Sequence, residues 1–203
     1  MMDECSEGDF ESNGSPNVLT GNGLPVYREK PLPKGELRGR FLIARPLIEA
    51  TREALTSIAL DGIKEGGHEG LVYWAGRDTD AGMAFLSVVV PESNHSPQRV
   101  MVEGQEVTRA SKRMRARSLG LKAQVHSHPG GDARHSDGDD DLILMPFEGM
   151  LSVVAPDFGI EVEALGDLTV HQYQDGRWVL CSPESVERNF EVIPTVMDVR
   201  RDS

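Results

Sequence analysis

The chain has 203 residues, with 33 acidic against 21 basic side chains and a formal net charge of −12. That length allows one domain with a real core plus flexible ends, and 38% hydrophobic with 27% charged residues suits an ordinary globular protein. So negative a surface repels polyanions and argues against nucleic-acid binding, and no apolar run reaches the ~20 residues that span a bilayer. Two cysteines, Cys5 and Cys181, argue against a disulfide framework and exclude a finger-type zinc site.

In chain order, MMDECSEGDFESNG is acidic and has no apolar core, so no secretory signal is expected and the expected compartment is the cytoplasm. Residues 1–37 are rich in Gly, Pro, Ser, Asn, Asp and Glu and read as a mostly disordered arm, with room for one short docked strand. Residues 38–193 read as the folded domain and 194–203 as a loose tail. Phe41 to Ile43 begin a strand or a helix lead-in. Pro46 then opens a helix with Leu47, Ala50, Leu55, Ile58, Ala59 and Ile63 at helical spacing, ending at Gly66-Gly67. Leu71 to Trp74 read as an apolar strand, MAFLSVVV from Met83 as a second stopped by Pro91, and RVMVEG as a third. QEVTRASKRMRARSLG has helical composition, and its cations Arg109, Lys112, Arg113, Arg115 and Arg117 read as a solvated face. LKAQVHSH is a strand with Leu121, Ala123 and Val125 on one face and Lys122, Gln124 and His126 on the other. DDLILMPF starts a short helical turn, LSVVAPDF is a strand, and TVHQYQDGRWVLC is a hairpin turning at Asp175-Gly176. The sum is a mixed α/β domain with a largely antiparallel or mixed sheet and two main helices.

Between Val125 and Asp141 the chain reads VHSHPGGDARHSDGDDD. His126 and His128 are two apart, so on a strand they share one side, about 6.5 to 7 Å apart along the chain. Pro129 ends the strand, and Gly130 and Gly131 permit a sharp return that brings a carboxylate within reach of the same ion. Two imidazoles and one carboxylate, with a fourth position left to water, form the ligand set of a catalytic zinc site. Asp137, Asp139, Asp140 and Asp141 are the nearby carboxylates.

The string His126-Ser127-His128-Pro129, six residues, Ser136, two residues, Asp139, with Glu69 upstream in GHEGLVYWAG, resembles the signature of the JAMM (MPN+) metalloprotease family and its prokaryotic JAB domains. The resemblance implies an α/β (α+β) fold of the MPN/JAB, cytidine-deaminase-like type: a mixed sheet flanked by helices. It implies Zn²⁺ held by His126, His128 and Asp139, with Glu69 as the general base and Ser136 donating a hydrogen bond to the developing oxyanion. Glu65 is the competitor for the base. His135 is expected as an exposed loop residue, because a fourth protein ligand would close the site; His68, His95 and His171 are expected to be structural or solvated.

The implied activity is hydrolysis of an amide or isopeptide bond at the C-terminus of a ubiquitin-like modifier, removing or maturing it. The implied partners are a ubiquitin-like protein or its conjugates, with activating- and conjugating-enzyme homologues in the same pathway; neither nucleic acid nor membrane is expected. Two other readings are a zinc peptidase or amidase acting on other peptides or in sulfur-carrier metabolism, and a metal-free MPN-type scaffold. The second is disfavoured because no member of the ligand set is missing.

Overall fold

Eleven strands and three helices follow one another across the residues described by the structure, a computed structural model: 32–131, 135 and 146–194. The expectations for residues 1–31 of the arm, for Ser136, Asp139 and the whole of the DDLIL stretch, and for the tail after Pro194 lie outside the described residues. The strands are β1 (Lys34–Gly35), β2 (Phe41–Ala44), β3 (Leu71–Thr79), β4 (Gly82–Val89), β5 (Asn94–Ser96), β6 (Arg99–Met101), β7 (Gly120–Ser127), β8 (Leu151–Ala155), β9 (Thr169–Gln174), β10 (Arg177–Cys181) and β11 (Phe190–Ile193). The helices are α1 (Arg45–Asp61), α2 (Gly104–Arg115) and α3 (Pro183–Asn189). Nine strands form one mixed sheet, β1-β10-β9-β8-β7-β3-β4-β2-β11, and β5 and β6 pair separately. At the centre, β3 is antiparallel to β4 and β7, and β7 is parallel to β8.

Pro46 sits in the first turn of α1, where its missing N–H costs no intrahelical bond. Leu47, Ile48, Leu55, Ile58 and Ala59 bury one stripe of the helix on the sheet. Thr51 joins that stripe, its hydroxyl donating to Leu47 O at 2.8 Å and accepting from Trp74 Nε1 at 2.8 Å, so the indole N–H is satisfied in the core. The helix ends at Asp61, earlier than the expected stop at Gly66-Gly67. Gly62 caps it by bonding back to Ala59 and Leu60 carbonyls, and a 3₁₀ turn over Ile63–Glu65 leaves Ile63 exposed rather than in the apolar stripe.

β3 shows why LVYWA is an unbroken apolar run. Val72 and Trp74 join the core that includes α1, whereas Leu71, Tyr73 and Ala75 pack with Ala110 and Met114 of α2. A strand covered on both faces has no polar alternation to display. Burial pushes the Tyr73 hydroxyl up to about 12, and it does the same to the Cys181 thiol on β10.

The facing of β7 differs from the expectation in one place. Trp74 pairs with Ala123 and the next residue, Ala75, with Leu121, so Lys122 is an extra residue on β7. This bulge reverses the alternation: Ala123 and Val125 pack in the α1 core, and Leu121 packs against the α2 cluster. The β9–β10 hairpin turns where expected, with positive φ at both Asp175 and Gly176 as a two-residue primed turn demands. The structure adds β5, α3 and β11 to the expected elements, and it corrects the end of the arm: β1 pairs with β10 and Leu37 is buried in the core, so the fold begins before residue 38. Ser182 caps α3 by accepting from Ser185 N, Pro183 starts it, and Phe190 then enters the core as the parallel edge strand.

Candidate functional site

The β3–β7 ladder pairs Leu71 with His126. Continued two residues past the ends of both strands, that register brings Glu69 opposite His128. Successive side chains alternate between faces, so Glu69, His126 and His128 share one face, opposite to α1. Two bonds extend the tie past the last ladder pair: Ser127 N donates to Gly70 O at 2.9 Å, and Gly70 N donates to Ser127 Oγ at 2.9 Å. On its other side Glu69 N donates to Ser96 O of β5 at 2.9 Å, which fixes the Glu69 backbone between two strands.

The Nε2 atoms of His126 and His128 lie 3.2 Å apart. Two nitrogens bound to one tetrahedral zinc at about 2.0–2.1 Å are about 3.3 Å apart, so the pair fits a shared ion with little adjustment. In the absence of metal the same separation suits an N–H···N hydrogen bond, one ring donating and the other accepting. His126 is buried and His128 partly so, as a site with one protected and one accessible side needs. Among the described residues no group of three or more His, Cys, Asp and Glu side chains is arranged to hold a metal. The third ligand expected, Asp139, and the oxyanion donor expected, Ser136, lie outside the described residues.

The turn after β7 is held by backbone bonds. His128 N donates to Ala155 O at 2.9 Å, Phe158 N to His128 O at 2.8 Å, and Asp157 N to Gly130 O at 2.8 Å. Gly130 has φ +129°, a conformation side chains rarely adopt, so the turn needs glycine there. Asp157 and Phe158 both have positive φ, 49° and 58°, which costs on the order of 1–3 kcal/mol each. That strain is stored where it presents two N–H groups to the His128–Gly130 turn. The Phe158 ring lies against Gly67, where an added Cβ would meet it at 3.0 Å, so the strained corner also contacts the segment leading to Glu69.

His135 departs from its expected exposure. It is buried, its Nε2 2.8 Å from Ser152 Oγ. Its ring packs 4.4 Å from His171, 5.5 Å from Trp178 and 6.0 Å from His126, centre to centre. The cause is the polar face of β7, β8 and β9, where registered Gln124, Ser152 and His171 offer partners for a buried ring. Gln124 Nε2 donates to Ser152 Oγ at 3.2 Å. The signal for this was in the strands, which carry Gln, Ser and His at alternating positions, and not in the loop.

A second histidine pair was also missed. His68 and His95 approach through their Nδ1 atoms at 2.9 Å, and His68 Nε2 lies 3.2 Å from Glu65 Oε2. The His68 ring rests on Gly62, where a Cβ would come within 2.1 Å of it. Glu65, the competitor for the base, is thus engaged with His68. The cations of α2 are exposed, with Arg109 bonded to Glu106 at 2.7 Å.

Residues 51–165, more than half of the chain, match the family model described as prokaryotic homologs of the JAB domain. Over 106 residues the chain is 36% identical to a protein of Sinorhizobium fredii named a probable metalloprotease. The match takes in 50% of this chain and 65% of that protein, a little under two thirds of its length. The solution structure of a protein from Desulfitobacterium hafniense is similar with a TM-score of 0.53 and 16% identity, over 76% of this chain and 92% of that one, a likeness of fold alone. A JAB1/MPN domain protein from Archaeoglobus fulgidus aligns over 70% of this chain and 96% of its own, with 15% identity and a TM-score of 0.40.

Proposed function

Because the chain belongs to the prokaryotic homologs of the JAB domain, we propose that it is a zinc-dependent metallopeptidase. It hydrolyses an amide or isopeptide bond at the C-terminus of a ubiquitin-like modifier. The observation that carries the reading is the convergence of His126 and His128 to 3.2 Å, beside a ladder whose register, continued past its last pair, brings Glu69 to the same face. The name of the Sinorhizobium fredii relative supports the metallopeptidase class.

His126, His128 and Asp139 would hold the ion. Zinc, when bound, polarises a carbonyl and brings the pKa of water down to about 7. Glu69 takes the proton from the attacking water and delivers it to the departing nitrogen, which leaves as a neutral amine. Ser136 donates to the oxygen that gains negative charge, a contact worth ~3 kcal/mol in other acyl-transfer enzymes. The Glu69 N–H bond to Ser96 O and the two bonds between Ser127 and the adjacent Gly70 hold the Glu69 backbone, so less ordering remains to be done when substrate arrives. The ubiquitin-like substrate rests on the family resemblance, and so do the activating- and conjugating-enzyme partners and the cytoplasmic compartment. Among the described residues no helix is long and apolar enough to cross a membrane.

The test is a panel of ubiquitin-like proteins fused through their C-termini to a reporter, incubated with the zinc-loaded chain, the chelated chain and the chain reloaded with zinc. Cleavage at the modifier's C-terminus that disappears with chelation and returns with zinc is expected. If every fusion stays intact while a short peptide is cut, the chain is a peptidase of other specificity. Absence of zinc from the purified protein by elemental analysis overturns the enzyme reading.

A further inference from the structure

Ser127 lies between the two histidines in sequence, yet on a strand it points to the other face. It is fully buried, and its neighbour across the ladder, Gly70, packs toward Leu55 and Ile58 of α1. Its hydroxyl therefore sits behind the site and out of reach of substrate. Both polar backbone groups of Gly70 are nevertheless tied to this one residue. Ser127 N donates to Gly70 O, and Gly70 N donates to Ser127 Oγ. In a regular hydrogen-bonded antiparallel pair the second acceptor would be a backbone carbonyl. Here a side-chain oxygen takes over, at the point where the two strands end. The Gly70 nitrogen it binds belongs to the peptide that begins at the Glu69 carbonyl, so the bond sets that peptide plane and with it the direction of the Glu69 side chain.

We infer that Ser127 is a positioning residue, whose hydroxyl sets the placement of Glu69 relative to the His126–His128 pair. The inference rests on the reading of Glu69 as the base. It leaves the metal ligands to their own strand, so loss of the hydroxyl misplaces the base and spares the metal. Threonine keeps the hydroxyl; valine has threonine's shape without it, so the Thr/Val pair separates the hydrogen bond from packing.

The experiment compares wild type, Ser127→Thr, Ser127→Val and Ser127→Cys in four measurements. They are zinc content by elemental analysis, kcat and KM on a fusion or peptide that wild type cuts, thermal melting, and exchange of the Gly70 amide by NMR in the metal-free chain. Ser127→Thr should stay within about threefold of wild type in kcat. Ser127→Val should lose about 10- to 100-fold in kcat, the scale of an ångström's misplacement, with KM and zinc content little changed. Its Gly70 amide should exchange at least about tenfold faster, as an amide whose acceptor is gone. Cysteine, a weaker acceptor of similar size, should fall between the two and serves in place of valine if valine prevents folding. In a Glu69→Gln background Ser127→Val should cost nothing further.

Equal kcat in the threonine and valine chains overturns the inference. So does unchanged Gly70 exchange in the valine chain, or zinc lost along with activity. A wild type that neither binds zinc nor cleaves overturns the proposed function, and Gly70 exchange then still decides whether the hydroxyl holds that peptide.

Discussion

Two histidine pairs flank Glu69, and they are built in opposite ways. His126 lies at the end of β7 and His128 just past it, and they meet through Nε2 at 3.2 Å, a separation suited to one shared ion. His68 and His95 come from segments 27 residues apart and meet through Nδ1 at 2.9 Å, a hydrogen-bond distance, with Glu65 on the far nitrogen of His68. The difference teaches that histidine proximity alone does not make a metal site. The first pair sits at the end of a central strand, and the register continued brings an acid to the same face. The second ties the Glu69 segment to β5, whose Ser96 carbonyl accepts the Glu69 N–H.

The largest effect should come from removing a nitrogen of the first pair. His126→Ala or His128→Ala is expected to take zinc from about one equivalent to nearly none, with hydrolysis abolished, whereas His95→Ala should leave zinc content unchanged by elemental analysis. If His95→Ala strips zinc as His126→Ala does, the contrast between the pairs is wrong. Among the acids, Asp139→Ala should lower zinc content; the same loss from Asp140→Ala and not from Asp139→Ala would shift the ligand register by one residue.

Next in size is Glu69→Gln, which keeps the shape and removes the base. Zinc should remain, and steady-state kinetics should show kcat lower by about 10²- to 10⁴-fold, the usual contribution of a general base. Retained activity would remove Glu69 from the chemistry.

A smaller effect is expected for the second pair. His95→Ala removes one partly buried hydrogen bond, worth about 1 kcal/mol in denaturant unfolding, and should cost a few-fold in kcat through Glu69. A loss as large as that of Glu69→Gln would mean that His95 acts in the reaction itself.

The smallest expected difference, none at all, is a control that belongs to neither pair. Burial raises Cys181 from its ordinary 9.0 and Tyr73 from 10.0, each to about 12. A raised pKa in the folded state means that folding favours the protonated form. Its contribution is fully present below pH 9 and is lost as pH climbs from 9 toward 12. Denaturant unfolding should show this alkaline decline equally in wild type and in His95→Ala; a decline that vanishes with His95 would assign it to the wrong groups.

Much of the site was legible in the sequence because its parts are local. His126 and His128 need only the period of a strand, and Asp175-Gly176 needs only the turn's demand for positive φ. Four features were not legible, each for a tertiary reason. His135 sits in a stretch of polar residues whose composition says loop, and its burial follows from Ser152 and His171 on other strands. The His68–His95 contact joins segments with no shared period. Leu121 was placed on the wrong face because a bulge is invisible to an alternation rule that runs through it. Helix α1 ends at Asp61, before Gly62, whose missing side chain leaves room for the His68 ring, a contact that the helical period does not announce.

The extra residue at Lys122 makes β7 two strands of opposite parity joined end to end. Everything before it answers to α2, and everything after it answers to the pairing of His126 with Leu71. The bulge is a buffer in the chain's numbering. A residue gained or lost upstream of it can be absorbed there by redrawing the loop, while His126 and His128 keep their face. The same change made between Lys122 and His126 has no such refuge and turns both imidazoles into the α1 core. Single-residue insertions walked along β7 should therefore divide into two classes, tolerated before the bulge and ruinous after it.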